Sequence, residues 1–319
     1  MENYINKLFF SLIDEIKSKN INEIYFNMFT KFKMIPFPTQ LSIQQFLNQF
    51  QYWGRIEIEH DNYEMLWLKA KVFDEHIDEL TELYEKLNDY KSKYILFSIL
   101  NNFYNFDFDH LRNSIENIYK HYFDLDLMPR LKDQIFVDVG AFIGDSVLDF
   151  VDSYGTNSYK KIYCYEISNS NIEKMKENLK NYPNISIIKK AVTATKCELH
   201  FDENTESSAN KVTENGKNLI EGVSLDDEII EPIDIVKMDI EGGEYKAIEG
   251  MKDHIKKDSP ILLVSVYHNN TDLFEIPKLI LSYNDNYDLY LRYYGGPIFA
   301  TEIVLIALPK NKNLAKMSM

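Results

Sequence analysis

Hydrophobic and polar residues follow two different periods along the chain, and the period changes near residue 130. Before this point apolar residues recur every three or four positions, as they do on one face of an α-helix. The pattern predicts helices at residues 4–17, 42–52, 74–90 and 109–122. Pro36 and Pro38 mark a break between two of them, because proline does not continue a helix. We therefore predict a mainly α-helical N-terminal domain over residues 1–125.

After residue 130 short apolar runs alternate with helical stretches. The runs predict seven strands, at residues 135–139, 161–166, 185–191, 233–238, 261–267, 287–293 and 301–308. Alternation of strand and helix indicates a mostly parallel sheet with crossover helices. The last two strands are joined by a short loop with Gly295, Gly296 and Pro297, which favours an antiparallel final pair. We predict a Rossmann-like α/β domain with a seven-stranded, mostly parallel sheet over residues 126–319.

Composition narrows the range of partners. Acidic residues outnumber basic ones, and the formal net charge is −15. Nucleic acid and anionic membrane surfaces attract basic proteins, so we expect neither as a partner. The two cysteines, Cys164 and Cys197, have no metal-binding spacing. Because we also find no signal-peptide pattern and no apolar run long enough for a membrane span, we expect a cytoplasmic protein.

The turn after the first predicted strand, at residues 138–145, carries the clearest chemical pattern. Ligands of open α/β sheets bind at the carboxyl ends of the strands, and Gly140 allows a sharp turn with close approach to a ligand. The turn lacks the third glycine of a pyrophosphate-binding loop. Glu166 ends the second strand, where a carboxylate accepts ribose hydroxyls. This combination favours S-adenosylmethionine, although Asp138 and Glu166 could also merely cap helices.

These segments resemble the FkbM-type methyltransferases. The resemblance rests on residues 136–146, 236–244, 266–268, 275–277, 289–293 and 301–305, and it extends from about residue 122 to about residue 308. It implies a class I methyltransferase fold and an S-adenosylmethionine-dependent O-methyltransferase that acts on a sugar or sugar nucleotide in surface polysaccharide or glycan biosynthesis. In one departure from the family pattern, Tyr293 stands after Arg292 where a histidine is expected.

The resemblance also implies roles for individual residues. The cofactor-binding residues would be Asp138, Gly140, Ala141, Phe142, Gly144, Asp145, Ser146, Glu166, Ile167, Ala191, Val192 and Asp239. The acceptor-binding residues would be Glu241, Tyr267, His268, Asn269 and Arg292. Asp239 and His268 would be catalytic. His268 is the candidate general base because an acceptor hydroxyl must lose its proton, and imidazole titrates near neutral pH.

Two questions about the reacting end stay open at this stage. Asp239 could contact the amino group of the cofactor or orient His268, although acids in the first turn of a helix also simply favour its dipole. Alternatively, Asp239, His268 and Asn269 could bind Mg²⁺ or Mn²⁺, which would lower the pKa of the acceptor hydroxyl. We favour the mechanism without a metal. Ser207 and Ser208, in a polar stretch, are further candidates for hydrogen bonds to a ligand.

The helical region carries no chemical motif. Its apolar stripes predict core packing or dimer contact, so we expect a cap domain or a homodimer-forming domain. Trp53 and Trp67 could line an acceptor cleft or act as buried anchors. Two further hypotheses remain, a nicotinamide-dependent oxidoreductase, which the missing glycine disfavours, and a non-catalytic binding protein of methyltransferase fold. Methylation of nitrogen or of a phosphoramidate-type acceptor is a third alternative.

Overall fold

The computed structural model describes residues 3–50, 52–128, 130–202 and 216–310. Within these ranges the chain divides into two compact units. The first unit comprises Met1–Glu116, Val266–Phe274 and Leu289–Val304, and the second comprises Asn117–Ser265, Glu275–Asp288 and Leu305–Met319. The assignment of residues 1–125 to a cap or dimer-forming domain and of residues 126–319 to a cofactor domain stays a prediction.

The first unit is mainly helical. Its helices are α1 (Tyr4–Lys17), α2 (Ile21–Met34), α3 (Phe37–Phe50), α4 (Glu64–Lys86), α5 (Tyr90–Asn105) and α6 (Phe108–Asn113). The prediction for α1 is confirmed, whereas α4 begins well before residue 74 and α6 is much shorter than residues 109–122. Neither α2 nor α5 was predicted. Helix α5 is buried on almost every side from Ile95 to Tyr104, so it shows no amphipathic stripe.

Aromatic side chains form much of the interior of the first unit. Phe9 stacks on Tyr84 with their ring centroids 3.7 Å apart. Trp53 is 3% exposed, and its indole N–H donates to the carbonyl oxygen of Tyr267 over 2.6 Å. Trp67, in contrast, is 42% exposed. The two tryptophans therefore differ, and Trp53 is the buried anchor.

In the described part of the chain, the strands form two sheets, and six further helices lie between them in the sequence. The strands are β1 (Gln134–Val139), β2 (Tyr159–Tyr165), β3 (Ile185–Ile188), β4 (Ala191–Val192), β5 (Cys197–Phe201), β6 (Asn218–Val223), β7 (Ile235–Met238), β8 (Ile261–Ser265), β9 (Tyr287–Tyr293) and β10 (Ile303–Pro309). The helices are α7 (Asp145–Tyr154), α8 (Asn169–Leu179), α9 (Leu225–Glu228), α10 (Glu244–Glu249), α11 (Lys252–Lys257) and α12 (Asp272–Tyr283). No helix in the described ranges has both the length and the apolar character needed to cross a bilayer.

The seven-stranded sheet confirms the predicted fold class. Its strand order is β3-β2-β1-β7-β8-β10-β9. Strand β1 is parallel to both of its neighbours, β2 and β7, and β7 is parallel to β8. The chain runs outward from β1 through β2 to β3 and later returns to add β7 on the other side of β1. The strand order thus reverses between β1 and β7, and such a point is where open α/β sheets bind ligands.

Three strand predictions need correction. Residues 185–191 do not form one strand, because the chain leaves the large sheet after Ile188 and Ala191 begins β4 in a separate sheet of order β4-β6-β5. Strands β5 and β6 of that sheet were not predicted. Strand β8 ends at Ser265 and not at Tyr267, so Tyr267 and His268 follow the strand.

Candidate functional site

The turn after β1 has a backbone that only glycine can adopt at its first position. Gly140 has a φ of +77°, and a β-carbon there would lie 1.9 Å from the carbonyl oxygen of Asp239. Phe142 and Gly144 also have positive φ, at +45° and +82°. The amides of Gly140 and Ala141 both donate to the carbonyl oxygen of Tyr165 over 3.0 Å. The turn is therefore held against the carboxyl ends of β2 and β7, and its role as a ligand loop stays a prediction.

A buried ion pair lies directly beneath this turn. Asp138 is fully buried, and its carboxylate is 3.1 Å from the ammonium nitrogen of Lys237. The Lys237 ammonium also donates to the carbonyl oxygen of Gly140 over 2.7 Å, and the Ser146 hydroxyl donates to Asp138. These bonds join β1, β7 and the first turn of α7.

Lys237 was missed at the sequence level, although a lysine inside the apolar strand Ile235–Met238 is an unusual feature. Burial lowers the pKa of Lys237, but the charges of Asp138 and Asp239 outweigh burial, so the pKa lies above its usual value. Lys237 is consequently a fixed cation at the end of the central strands.

Glu166 follows β2 directly and is 6% exposed. Its Oε1 accepts hydrogen bonds from the amides of Ile167 and Ser168, each over 2.8 Å. Burial raises the pKa of Glu166, and the hydrogen bonds from Ser168, Ile167 and Phe142 offset only part of that rise. The carboxylate is thus held in one orientation at the carboxyl edge of the sheet.

Other predicted cofactor residues lie directly after β2, in β4 and at the start of α7. Ala191 belongs to a small apolar cluster with Phe201 and Ile220, and Ile167 packs against that cluster. Val192 is the second residue of β4 and is buried. Asp145, the first residue of α7, has an exposed side chain. Their contacts with a cofactor stay predictions.

A tight turn joins β7 to α10 and presents Asp239. Glu241 has a φ of +57° in this turn. Glu244 is fully buried, and its two carboxylate oxygens accept from the amides of Ile240, over 2.8 Å, and Gly242, over 3.0 Å. Asp239 accepts a hydrogen bond from the Tyr122 hydroxyl over 2.6 Å. Glu244 therefore shapes the turn, whereas Asp239 and Glu241 are its partly exposed acids.

Tyr122 and His121 are contributors to this region that the sequence did not reveal. Their rings stack with centroids 4.0 Å apart. Burial lowers the pKa of His121 to about 4, although the charge of Asp239 opposes this effect. His121 is accordingly neutral at pH 7. Residues before β1 carried no motif, so only the fold reveals that they reach Asp239.

Most of the predicted acceptor residues belong to the first unit. His268 is fully buried, with its ring centroid 5.1 Å from that of Tyr52 and 4.1 Å from that of Tyr267. The Tyr267 hydroxyl donates to Glu302 over 3.1 Å. Asn269 donates to the Asp272 carboxylate from its backbone amide over 2.7 Å and from its side chain over 3.1 Å. This segment is ordered by its own hydrogen bonds.

Arg292 is also in the first unit, where it is 2% exposed and forms an ion pair with Asp89 at 2.9 Å. It donates to the Ser92 hydroxyl over 3.2 Å as well. Tyr293, which replaces the expected histidine, donates to the carbonyl oxygens of Gly296 and Phe299. The polar groups of both side chains therefore have hydrogen-bond partners within the protein itself. The acceptor-binding role of Arg292 stays a prediction.

The structure thus distributes the predicted site residues over both units. The cofactor-binding residues, from Asp138 to Asp239, belong to the second unit together with Glu241, whereas His268 and Asn269 belong to the first. The metal hypothesis draws on both units and stays a prediction. Ser207 and Ser208 lie outside the described residues.

The chain is similar to known proteins in one family domain and in its fold. A family model described as the methyltransferase FkbM domain matches residues 138–295. No curated protein matches the sequence. The crystal structure of methyltransferase FkbM from Methylobacillus flagellatus KT matches with a TM-score of 0.64 and 22% sequence identity, and the match covers 83% of this chain and 65% of that one. The chain therefore spans just under two thirds of that relative, and this likeness concerns the fold.

Other solved structures are more distant. An rRNA methylase from Streptococcus thermophilus matches with a TM-score of 0.39 and 15% identity over 61% of this chain and 99% of that one. Aeropyrum pernix fibrillarin, in complex with natively bound S-adenosyl-L-methionine, matches with a TM-score of 0.36 and 9% identity over 56% and 67%. The family model, the sheet and the glycine turn agree, and residues 138–295 of the chain are a methyltransferase FkbM domain.

Proposed function

We propose that the protein is an S-adenosylmethionine-dependent methyltransferase. The observation that carries the proposal is the glycine turn at the carboxyl end of β1, beside Glu166 and at the point where the strand order reverses. The absence of a side chain at Gly140 leaves backbone available for close contact with a ligand. S-adenosylmethionine fits this site because it has a ribose for a carboxylate but no phosphate that would need a third glycine.

Each part of the site has a role in this proposal. Backbone amides of the turn at residues 140–145 hold the amino-acid part of the cofactor, and Glu166 accepts the ribose hydroxyls. Asp239, an acid with a fixed orientation, pairs with the cofactor's amino group. The buried Asp138–Lys237 pair keeps the turn in place. The net charge of −15 also favours approach of a cationic cofactor at long range.

When bound, S-adenosylmethionine supplies a sulfonium methyl group that can be transferred by in-line displacement. The protein must orient the acceptor and remove its proton, and orientation alone can supply a large part of the rate. We assign proton removal to the imidazole of His268, which comes shortly after Ser265, the last residue of β8. The version with a divalent metal at Asp239, His268 and Asn269 is the alternative.

For the acceptor, we propose a hydroxyl group of a sugar or sugar nucleotide, in the biosynthesis of a surface polysaccharide or another glycan. The support is the resemblance to FkbM-type enzymes, together with the acidic net charge, which disfavours a nucleic acid substrate. We also propose that the reaction takes place in the cytoplasm. A nitrogen or phosphoramidate-type acceptor, and a binding protein without catalysis, are the alternatives.

The cofactor assignment is tested by calorimetric titration with S-adenosylhomocysteine and, separately, with NAD. We expect binding of the first compound only. Glu166→Gln should weaken it by about 10- to 100-fold, since a charged hydrogen bond to the ribose is lost. Glu173→Gln on α8 is the matched control, because its side chain is 73% exposed, and it should bind normally.

Binding of NAD in preference to S-adenosylhomocysteine would refute the proposal, as would full affinity in Glu166→Gln. The acceptor is tested next, with labelled S-adenosylmethionine and a panel of sugar nucleotides in the presence and absence of a chelator. Label transfer that survives chelation would exclude the metal version, and normal turnover by His268→Ala would exclude His268 as the base.

A further inference from the structure

The chain immediately before β1 belongs to the second unit and is anchored there by several side chains. The Lys120 ammonium pairs with Asp149 of α7 at 3.0 Å. Phe123 is 1% exposed, so its ring lies in the interior. Between these two residues, the Tyr122 hydroxyl donates to the Asp239 carboxylate over 2.6 Å. The segment thus brings one hydroxyl group to the turn that follows β7.

Tyr122 holds a backbone conformation that tyrosine rarely adopts. Its φ is +71°, in the left-handed region, where a bulky side chain is costly. Asparagine would adopt this conformation at a lower cost, so the path of the backbone alone does not account for a tyrosine. Strain of this kind persists where the surrounding structure fixes it, and it is concentrated at active sites and ligand sites. Here the strained residue is the one whose hydroxyl contacts Asp239.

The ring of Tyr122 is buried and held by two neighbours. Only 4% of the residue is exposed. The His121 ring stacks on it with an interplanar angle of 2° and a centroid distance of 4.0 Å. The Lys237 ammonium lies 5.4 Å from the centroid of the tyrosine ring. A hydroxyl on a ring fixed in this way has little freedom, and the carboxylate that it bonds is fixed with it.

The backbone of Asp239 is fixed by other contacts. Its amide donates to the carbonyl oxygen of Val139 in β1 over 3.0 Å. The side chain can still rotate about its own bonds, and the Tyr122 hydroxyl restricts that rotation. An ionised carboxylate accepts up to about four hydrogen bonds, so accepting one from a tyrosine does not prevent it from binding an ammonium group as well.

We propose that Tyr122 is a positioning residue for the cofactor. Its hydroxyl holds the Asp239 carboxylate in the orientation that pairs with the amino group of S-adenosylmethionine. An acid oriented in advance binds this group without the entropy cost of ordering its side chain. The inference rests on the proposed function, in which Asp239 binds the amino group, and Tyr122 acts through Asp239 alone.

The test compares two ligands by calorimetric titration of the full chain. S-adenosylhomocysteine carries the amino-acid part of the cofactor, whereas 5′-methylthioadenosine has the same adenosine and sulfur without it. Tyr122→Phe keeps the ring and removes only the hydroxyl. We expect this variant to bind S-adenosylhomocysteine about tenfold more weakly and 5′-methylthioadenosine within about twofold of the native affinity. Glu166→Gln, in contrast, should weaken both ligands, because both contain the ribose.

Tyr163→Phe is the matched control. It removes a hydroxyl that donates to another carboxylate of the second unit, that of Glu231, and it should leave both affinities unchanged. A double variant tests whether Tyr122 acts through Asp239. Once Asp239→Asn has removed the charge, adding Tyr122→Phe should cause no further loss of S-adenosylhomocysteine binding.

Three results would overturn the inference. These are native affinity for S-adenosylhomocysteine in Tyr122→Phe, equal weakening of both ligands, which a merely structural role would give, and an additive loss in the double variant. Failure of the proposed function would appear separately, as absence of S-adenosylhomocysteine binding to the native chain, and would refute the inference with it.

Discussion

At the scale of single residues, Gly140 shows how a backbone position becomes intolerant of any side chain. Two constraints act there together, a φ of +77° and a carbonyl oxygen 1.9 Å from the position of a β-carbon. Gly155, at the end of α7, shares only the first, since its φ is +81° and nothing lies within 4 Å. A substitution at Gly155 therefore measures the free-energy cost of the left-handed conformation alone, and the additional cost at Gly140 measures the steric clash.

We predict that Gly140→Ala lowers the free energy of unfolding by about 1–3 kcal/mol more than Gly155→Ala does. Both variants force alanine into a left-handed conformation, but only the first also pushes a methyl group into the backbone of Asp239. Urea denaturation of the two variants measures the difference. Gly140→Ala should also lose affinity for S-adenosylhomocysteine, and equal stability of the two variants would contradict the steric argument.

At the scale of secondary-structure elements, local hydrogen bonds decide how strands connect to helices. The turn between β7 and α10 has no side-chain cap from Gly243, and its amides bond instead to the carboxylate of Glu244. Helix α2 begins with a capping box, in which Asn20 and Glu23 bond to each other's backbone. The capping signal of α2 is present in the sequence. Helix α5 cannot be recognised from hydrophobic periodicity, because a helix that is buried on all sides has no amphipathic stripe.

We predict that Glu244→Gln lowers the free energy of unfolding by about 1–3 kcal/mol. The carboxylate accepts hydrogen bonds from two backbone amides, and in the variant the NH₂ group faces one of these amides and cannot accept its hydrogen bond. Glu249→Gln, on the same helix, should change it by less than about 0.5 kcal/mol, since Glu249 forms only a surface ion pair with Lys246. Urea denaturation is the measurement for both. A loss in Glu249→Gln as large as that in Glu244→Gln would refute a specific role for the turn.

At the scale of the whole molecule, the pH dependence of stability reflects two buried basic side chains whose pKa values are lowered, that of Lys69 to about 7 and that of His121 to about 4. In both cases the unfolded chain binds the proton more tightly than the folded chain. The free energy of unfolding must therefore rise with pH between the folded and unfolded pKa values. For Lys69 this window extends from about pH 7 to about pH 10.5, and for His121 from about pH 4 to about pH 6.5.

We predict that Lys69→Met raises the free energy of unfolding at pH 7, on the order of 1–3 kcal/mol, because methionine fills the same space without a desolvated charge. The difference between the variant and the native chain should shrink as the pH rises from 7 to about 9, since the native lysine is then increasingly neutral when folded. Denaturation at several pH values tests this sign. A difference that grows with pH would show that Lys69 has an anionic partner in the free protein.

The sequence by itself determined the fold class, the glycine turn and the acids at the ends of β1, β2 and β7, because these features depend on periodicity and on short segments. It also determined the family resemblance, which the match over residues 138–295 confirms. Only the tertiary structure decided which side chains meet across long stretches of sequence. The Asp138–Lys237 pair and the Tyr122 hydrogen bond to Asp239 both join residues far apart in the chain. Burial and charge pairing arise from packing, so a local pattern cannot encode them.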